Sequence, residues 1–152
     1  MASRSGVEFR PTLARVADAV RRRIRRLPDL TAPNARIAAF LDSWVQRNFQ
    51  TEGENVGGWT PFALGGRWIP GVGLDTSAKL LQHTGEMRAS FRSFYDDSDV
   101  GIGSDLPRSR YHELGTETIP RRRILPEREE VLKPVLEIYN RHFVDIGRKP
   151  LW

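Results

Sequence analysis

The chain is 152 residues long, carries a formal charge of +5 and contains no cysteine. That length suits one domain with one hydrophobic core, and the missing thiols exclude disulfides and thiolate metal sites. No run of eighteen apolar residues exists and the start lacks a hydrophobic leader, so neither a membrane nor a secreted chain is expected.

The basic residues are nearly all arginine, with lysine only at 79, 133 and 149. Arginine's fork pairs with carboxylates and phosphates alike, so positive charge alone does not specify nucleic acid.

In chain order, residues 1–10 read as a disordered N-terminus. Residues 12–26 read as an amphipathic helix, with Leu13, Val16, Ala17, Val20 and Ile24 on one stripe. Its other face carries Arg15, Arg21, Arg22, Arg25 and Arg26, a solvated face or a surface for acidic partners or DNA backbone. Pro28 stops it. Thr31-Ala32-Pro33-Asn34 signals a second start, and Ile37, Phe40, Leu41, Trp44, Val45 and Phe49 recur with helical spacing. Trp44 and Phe49 are expected core anchors.

Residues 50–78 form a long Gly-rich stretch holding Trp59, Pro61, Trp68 and Pro70. Loops of that length are functional or disordered, and its tryptophans are expected to bury partly at home and partly on a neighbouring subunit. A short helix over 77–83 would turn Leu80 and Leu81 inward. Thr84-Gly85-Glu86 reads as a helix start capped by Thr84, with one turn before a strand at Phe91–Tyr95. Asp96-Asp97-Ser98-Asp99 is a polar turn, and Val100 and Ile102 alternate with Gly101 and Gly103 in the return strand. Residues 110–114 suggest a helical turn. Residues 118–125 read as a third strand, at an edge because of Pro120.

Pro126 and the acids Glu127, Glu129 and Glu130 open the last helix, interrupted by Pro134 and stopped by Gly147. The tail, 148–152, ends on an apolar Trp152. The expected architecture is α+β: a small antiparallel sheet packed against two or three helices in a single domain over 11–147.

Catalytic patterns are sparse. His112-Glu113 lacks a second histidine four residues after the first, so the zinc-protease arrangement is missing. Asp96, Asp97 and Asp99 lack the glycine and closing glutamate of a calcium loop. No nucleophile elbow or phosphate-cradling loop occurs, and Gly71-x-Gly73 lacks the strand and third glycine of a dinucleotide site. No catalytic, metal or cofactor residue is expected, and His112 reads as a structural side chain.

Taken together, the pieces from Trp59 to Leu125 resemble the phage virion morphogenesis family, the tail-completion proteins of phage Mu type. The resemblance rests on Trp59, then Thr84, Gly85, Met87, Arg88 and Ser90, then Val100, Ile102, Gly103 and Ser104. His112, Glu113 and Gly115 follow, then Ile119, Pro120, Arg122 and Leu125. The chain departs from that pattern at Arg108-Ser109, where Tyr-Ala is usual, and at Arg123, where a second proline is usual.

What the resemblance implies is a structural protein of the virion neck, assembled in the host cytoplasm. It would be a tail-completion, tail-terminator or head–tail joining subunit closing a homo-oligomeric ring, a hexamer. The ring would lie between tail tube or sheath and head connector, with DNA passing through its lumen at most. Trp59, Trp68, Arg121, Arg122 and Arg123 are the expected interface residues. The competing reading is a nucleic-acid-binding module using the first helix and the arginine triplet, though no interleaved aromatics or named binding motif accompany them.

Overall fold

The computed structural model describes residues 29–150 and the backbone of Val7–Phe9. The expected helix over 12–26 and the end of the C-terminal tail lie outside the described residues. Within them the chain is α+β. Its elements are β1 (Val7–Phe9), α1 (Thr31–Gln50), β2 (Arg67–Ile69), β3 (Gly73–Asp75), α2 (Glu86–Ser90), β4 (Phe91–Tyr95), β5 (Val100–Ser104), α3 (Pro107–Leu114) and α4 (Arg128–Asp145). A 3₁₀ turn spans Glu54–Val56. The strands form a three-stranded sheet in the order β1-β5-β4 and a separate hairpin of β2 and β3. Val7–Phe9, placed by the sequence in a disordered terminus, thus occupy the edge of β5.

Local signals account for most of these elements. Asp29 accepts the Thr31 N–H at 2.9 Å and the Thr31 hydroxyl, fastening the α1 start. The β4–β5 turn closes on Asp96, whose Oδ1 accepts the Ser98 and Asp99 N–H groups at 2.7 and 2.6 Å. Helix α4 opens with a capping box between Glu127 and Glu130 and runs through Pro134 as one helix. It ends in a Schellman motif: Gly147, φ 72°, donates to Val144 O, and the Arg148 N–H reaches Phe143 O at 2.8 Å.

The described chain divides into two compact units, each made of separate stretches. The first takes Ser43–Arg92 and Gly103–Leu125. Its core gathers Val45, Phe49, Trp59, Leu80, Met87, Phe91, Ile124 and Leu125, all buried. The second takes 29–42, Ser93–Ile102 and 126–150. It buries Ile37, Leu41, Val100, Ile102, Val131, Val135, Tyr139 and Phe143. Asn34 ties that unit together: its Nδ2 donates to Asp96 O at 2.8 Å and its Oδ1 accepts the Tyr139 hydroxyl at 2.6 Å. A buried polar side chain with both ends satisfied fixes one arrangement of the surrounding apolar groups.

Several expectations need correction. Residues 77–83 form no helix, although Leu80 is buried. Glu52, at φ 53°, turns the chain after α1 and sends its carboxylate to the Leu80 N–H at 2.6 Å. That long-range bond holds the segment irregular. Gly85, at φ 72°, caps α2 instead of Thr84, whose hydroxyl still accepts the Glu86 N–H at 3.3 Å. Phe40 and Trp44 are only half buried, because the covered stripe of α1 runs through Ile37, Ala38, Leu41, Val45, Asn48 and Phe49. Residues 118–125 are not a strand, for a reason that belongs to the site.

Candidate functional site

Most residues singled out in the sequence lie in the first unit, and several converge on the segment 121–125. Helix α3 ends at Leu114, and Gly115, at φ 74°, reverses the chain. A side chain at Gly115 would stand 3.1 Å from Arg121 N and Cβ, so the returning segment passes tightly against the turn. The Arg122 N–H donates to His112 O at 2.7 Å. The Glu113 carboxylate then accepts the Ile124 and Leu125 N–H groups through one oxygen, at 2.6 and 3.1 Å. Pro120 offers no N–H. Of the expected third strand's backbone donors, the Arg122 N–H is thus met by a helix end and the Ile124 and Leu125 N–H groups by a buried carboxylate, in place of a neighbouring strand.

From the other side, Asn48 of α1 donates to the carbonyls of Arg123 and Ile124, both at 3.2 Å. Trp59 donates its indole N–H to Arg123 O at 2.8 Å and stands edge-on to Phe49, 5.4 Å between centroids at 83°. Phe49 in turn tilts against Phe91 at 5.9 Å. The Arg122 guanidinium donates through Nε to Thr60 O at 2.8 Å. Glu113, Trp59, Asn48 and Arg122 therefore clamp one short strap of backbone between α1, α3 and the loop after α1.

Burial sets the charges. Desolvation pushes the Glu113 carboxyl above the usual glutamate range, outweighing the two N–H bonds and the nearby Arg121 and Arg123 charges that favour the anion. It lowers His112, helped by the Arg122 and Arg108 charges, and His112 Nδ1 is buried without a hydrogen-bond partner among the described residues. Arg122 is only 8% exposed. The expectation that Arg121, Arg122 and Arg123 all project from an edge strand is thus corrected at Arg122. Arg121 is exposed and donates through Nε to Glu113 O at 3.1 Å, and Arg123 is half buried.

The remaining motif positions support the same unit. Arg88 donates to Gln46 Oε1 at 2.6 Å, joining α2 to α1. Ser90 and Ser104 share a hydrogen bond at 2.7 Å beside Gly103. Sequence reasoning missed Asn48, although a polar residue interrupting the stripe Leu41, Val45, Phe49 is the signal of a buried hydrogen bond. Among the described residues, no group of three or more His, Asp or Glu side chains is placed to hold a metal. Nor, among them, is any helix long and apolar enough to cross a membrane.

The two loop tryptophans part company. Trp59 is buried on its own chain, where Gly53 gives it room: a side chain there would meet the indole at 2.4 Å. Gly53→Ala should therefore destabilise by more than the roughly 1–3 kcal/mol of backbone strain that positive φ imposes. Gly57, at φ 85° with nothing near its Cβ position, supplies the control. Thermal unfolding of both variants checks this; equal losses would mean the indole is not packed against Gly53.

Trp68, in contrast, is 61% exposed. The hairpin that carries it pairs Arg67 with Asp75, Trp68 with Leu74 and Ile69 with Gly73. Gly66 sets that register, since a side chain there would stand 2.6 Å from Asp75 O. No family model, curated protein or solved structure matches the chain.

Proposed function

We propose that the chain is a structural subunit of a tailed-phage neck, acting in tail completion, tail termination or head–tail joining. Copies close a ring, a hexamer, between tail tube or sheath and head connector, and DNA at most passes through the lumen. The observation that supports this best is what the motif residues do. Trp59, His112, Glu113, Gly115 and Arg122 meet at one backbone strap: the Trp59 indole, the Glu113 carboxylate and the His112 carbonyl bond to it, Gly115 lets it pass closely, and Arg122 ties it to Thr60 O. They serve to hold a shape, and a shape presented to neighbours is what an assembly subunit contributes.

The nucleic-acid reading loses ground at the arginine triplet, because Arg122 is turned inward and cannot join Arg121 and Arg123 in a phosphate-binding row. Its other support, the basic face expected over 12–26, lies outside the described residues.

Sedimentation and electron microscopy of the purified protein test the proposal. The expected result is a closed ring that caps free tails or binds isolated connectors. A monomer that binds DNA with a steep salt dependence would overturn it in favour of the nucleic-acid module, since released counterions give that slope.

A further inference from the structure

Hairpin β2–β3 has its chemistry turned inside out. In both strands the outer residues, Arg67, Ile69, Gly73 and Asp75, are half covered, while the central pair, Trp68 and Leu74, faces outward. A two-stranded hairpin resting on a protein normally turns its apolar face inward and its charges out. Here the cross-strand pair Arg67 and Asp75 lies on the half-covered side with Ile69, and hydrogen bonds from the Ser77 hydroxyl and N–H, aided by the Arg67 charge, hold Asp75 below its usual range. Leu64 and Val72 extend the open apolar character, at 67% and 81% exposure.

Both hairpin edges are unpaired among the described residues, and each strand is three residues long. Isolated hairpins of this kind are marginal in water, and unpaired edges are templates for another chain. A patch of a few hundred Å² built around a tryptophan is characteristic of an interaction site.

We infer that the Trp68–Leu74 face is an arm that seats on a second copy of this chain, at a surface other than the partner's own hairpin. The inference rests on the ring reading and names the contact that closes it. Its chemistry points to protein: one arginine balanced by one aspartate makes a poor phosphate reader, and side chains as exposed as Trp68 and Val72 enclose no small ligand. Its size points to a repeated contact. A stable one-to-one complex buries about 800 Å² per partner, more than one such arm offers. A subunit that gives one arm and receives another is held twice. Contacts of that unlike-to-unlike kind generate closed rings.

The test uses the whole protein. Trp68→Glu and Leu74→Glu should each shift the assembly to monomer in sedimentation, with circular dichroism unchanged and a cooperative melt whose Tm no longer depends on protein concentration. A photo-crosslinking residue at position 72, in an equal mixture of ¹⁵N-labelled and unlabelled protein, should join light to heavy peptides. The attached peptides should lie outside 64–75. Unaltered assembly of both variants, or links only within one copy, would overturn the arm. Links from hairpin to hairpin would replace it with a symmetric dimer contact, and links only to an added phage protein would assign the face elsewhere. Rings that survive Trp68→Glu sink the arm and leave the ring reading standing. Light-to-heavy links in an assembly that neither closes nor binds tails do the reverse, and a wild-type monomer sinks both.

Discussion

Replacing Phe49 with alanine is expected to destabilise the protein by about 3–5 kcal/mol, the range for large buried aromatics. Phe49 is fully buried and supports the rings of both Trp59 and Phe91. Its loss opens a cavity beneath the indole that is bonded to the strap, so Trp59 should lose its fixed environment as well. Trp44→Ala on the same helix should cost clearly less, because that side chain is only half buried. Chemical denaturation with near-ultraviolet circular dichroism reads both effects. If Trp44→Ala proves as damaging as Phe49→Ala, the buried stripe of α1 has been assigned to the wrong side.

The second large effect concerns Glu113. Glu113→Leu keeps side-chain bulk but leaves the Ile124 and Leu125 N–H groups without their acceptor. Each buried N–H so orphaned costs about 1–3 kcal/mol, giving about 2–6 kcal/mol for the pair. Against a total stability of about 5–15 kcal/mol for a domain, that is enough to release the strap. Hydrogen exchange at 121–125 should accelerate before global unfolding. Unchanged protection there would mean the carboxylate is not what holds the segment.

Glu113 also fixes the sign of a pH effect. Its folded pKa lies above the ordinary 4.5, so the native state holds this proton more tightly than the unfolded chain. Its contribution is therefore fully present below about pH 4.5 and is lost as pH rises through the folded value. The stability of the wild type relative to Glu113→Gln should fall over that window and then level off. A relative stability that climbs with pH instead would show the two N–H bonds outweighing burial.

What the sequence alone could determine was local. Helix α1 announced itself through Thr31-Ala32-Pro33-Asn34 and its apolar stripe, β4–β5 through the Asp96 turn, and α4 through Glu127, Glu130 and Gly147. Each of those signals is complete within a few residues, so no distant partner could overrule it. Burial read from spacing held at Ile37, Leu41, Val45, Phe49, Phe91, Val100 and Ile102 but not at Phe40 and Trp44, which share the α1 spacing yet lie at the edge of its covered stripe.

The tertiary structure decided everything that depended on a remote partner. Residues 118–125 have the look of an edge strand, but a backbone N–H has no preference between a neighbouring strand and a carboxylate. The choice fell to Glu113 and His112, which α3 had already placed within reach. The same holds for the tryptophans. Trp59 and Trp68 sit in similar Gly-rich surroundings in the sequence. Only the carbonyl of Arg123, the ring of Phe49 and the gap at Gly53, brought together by folding, made one a core residue and left the other facing out.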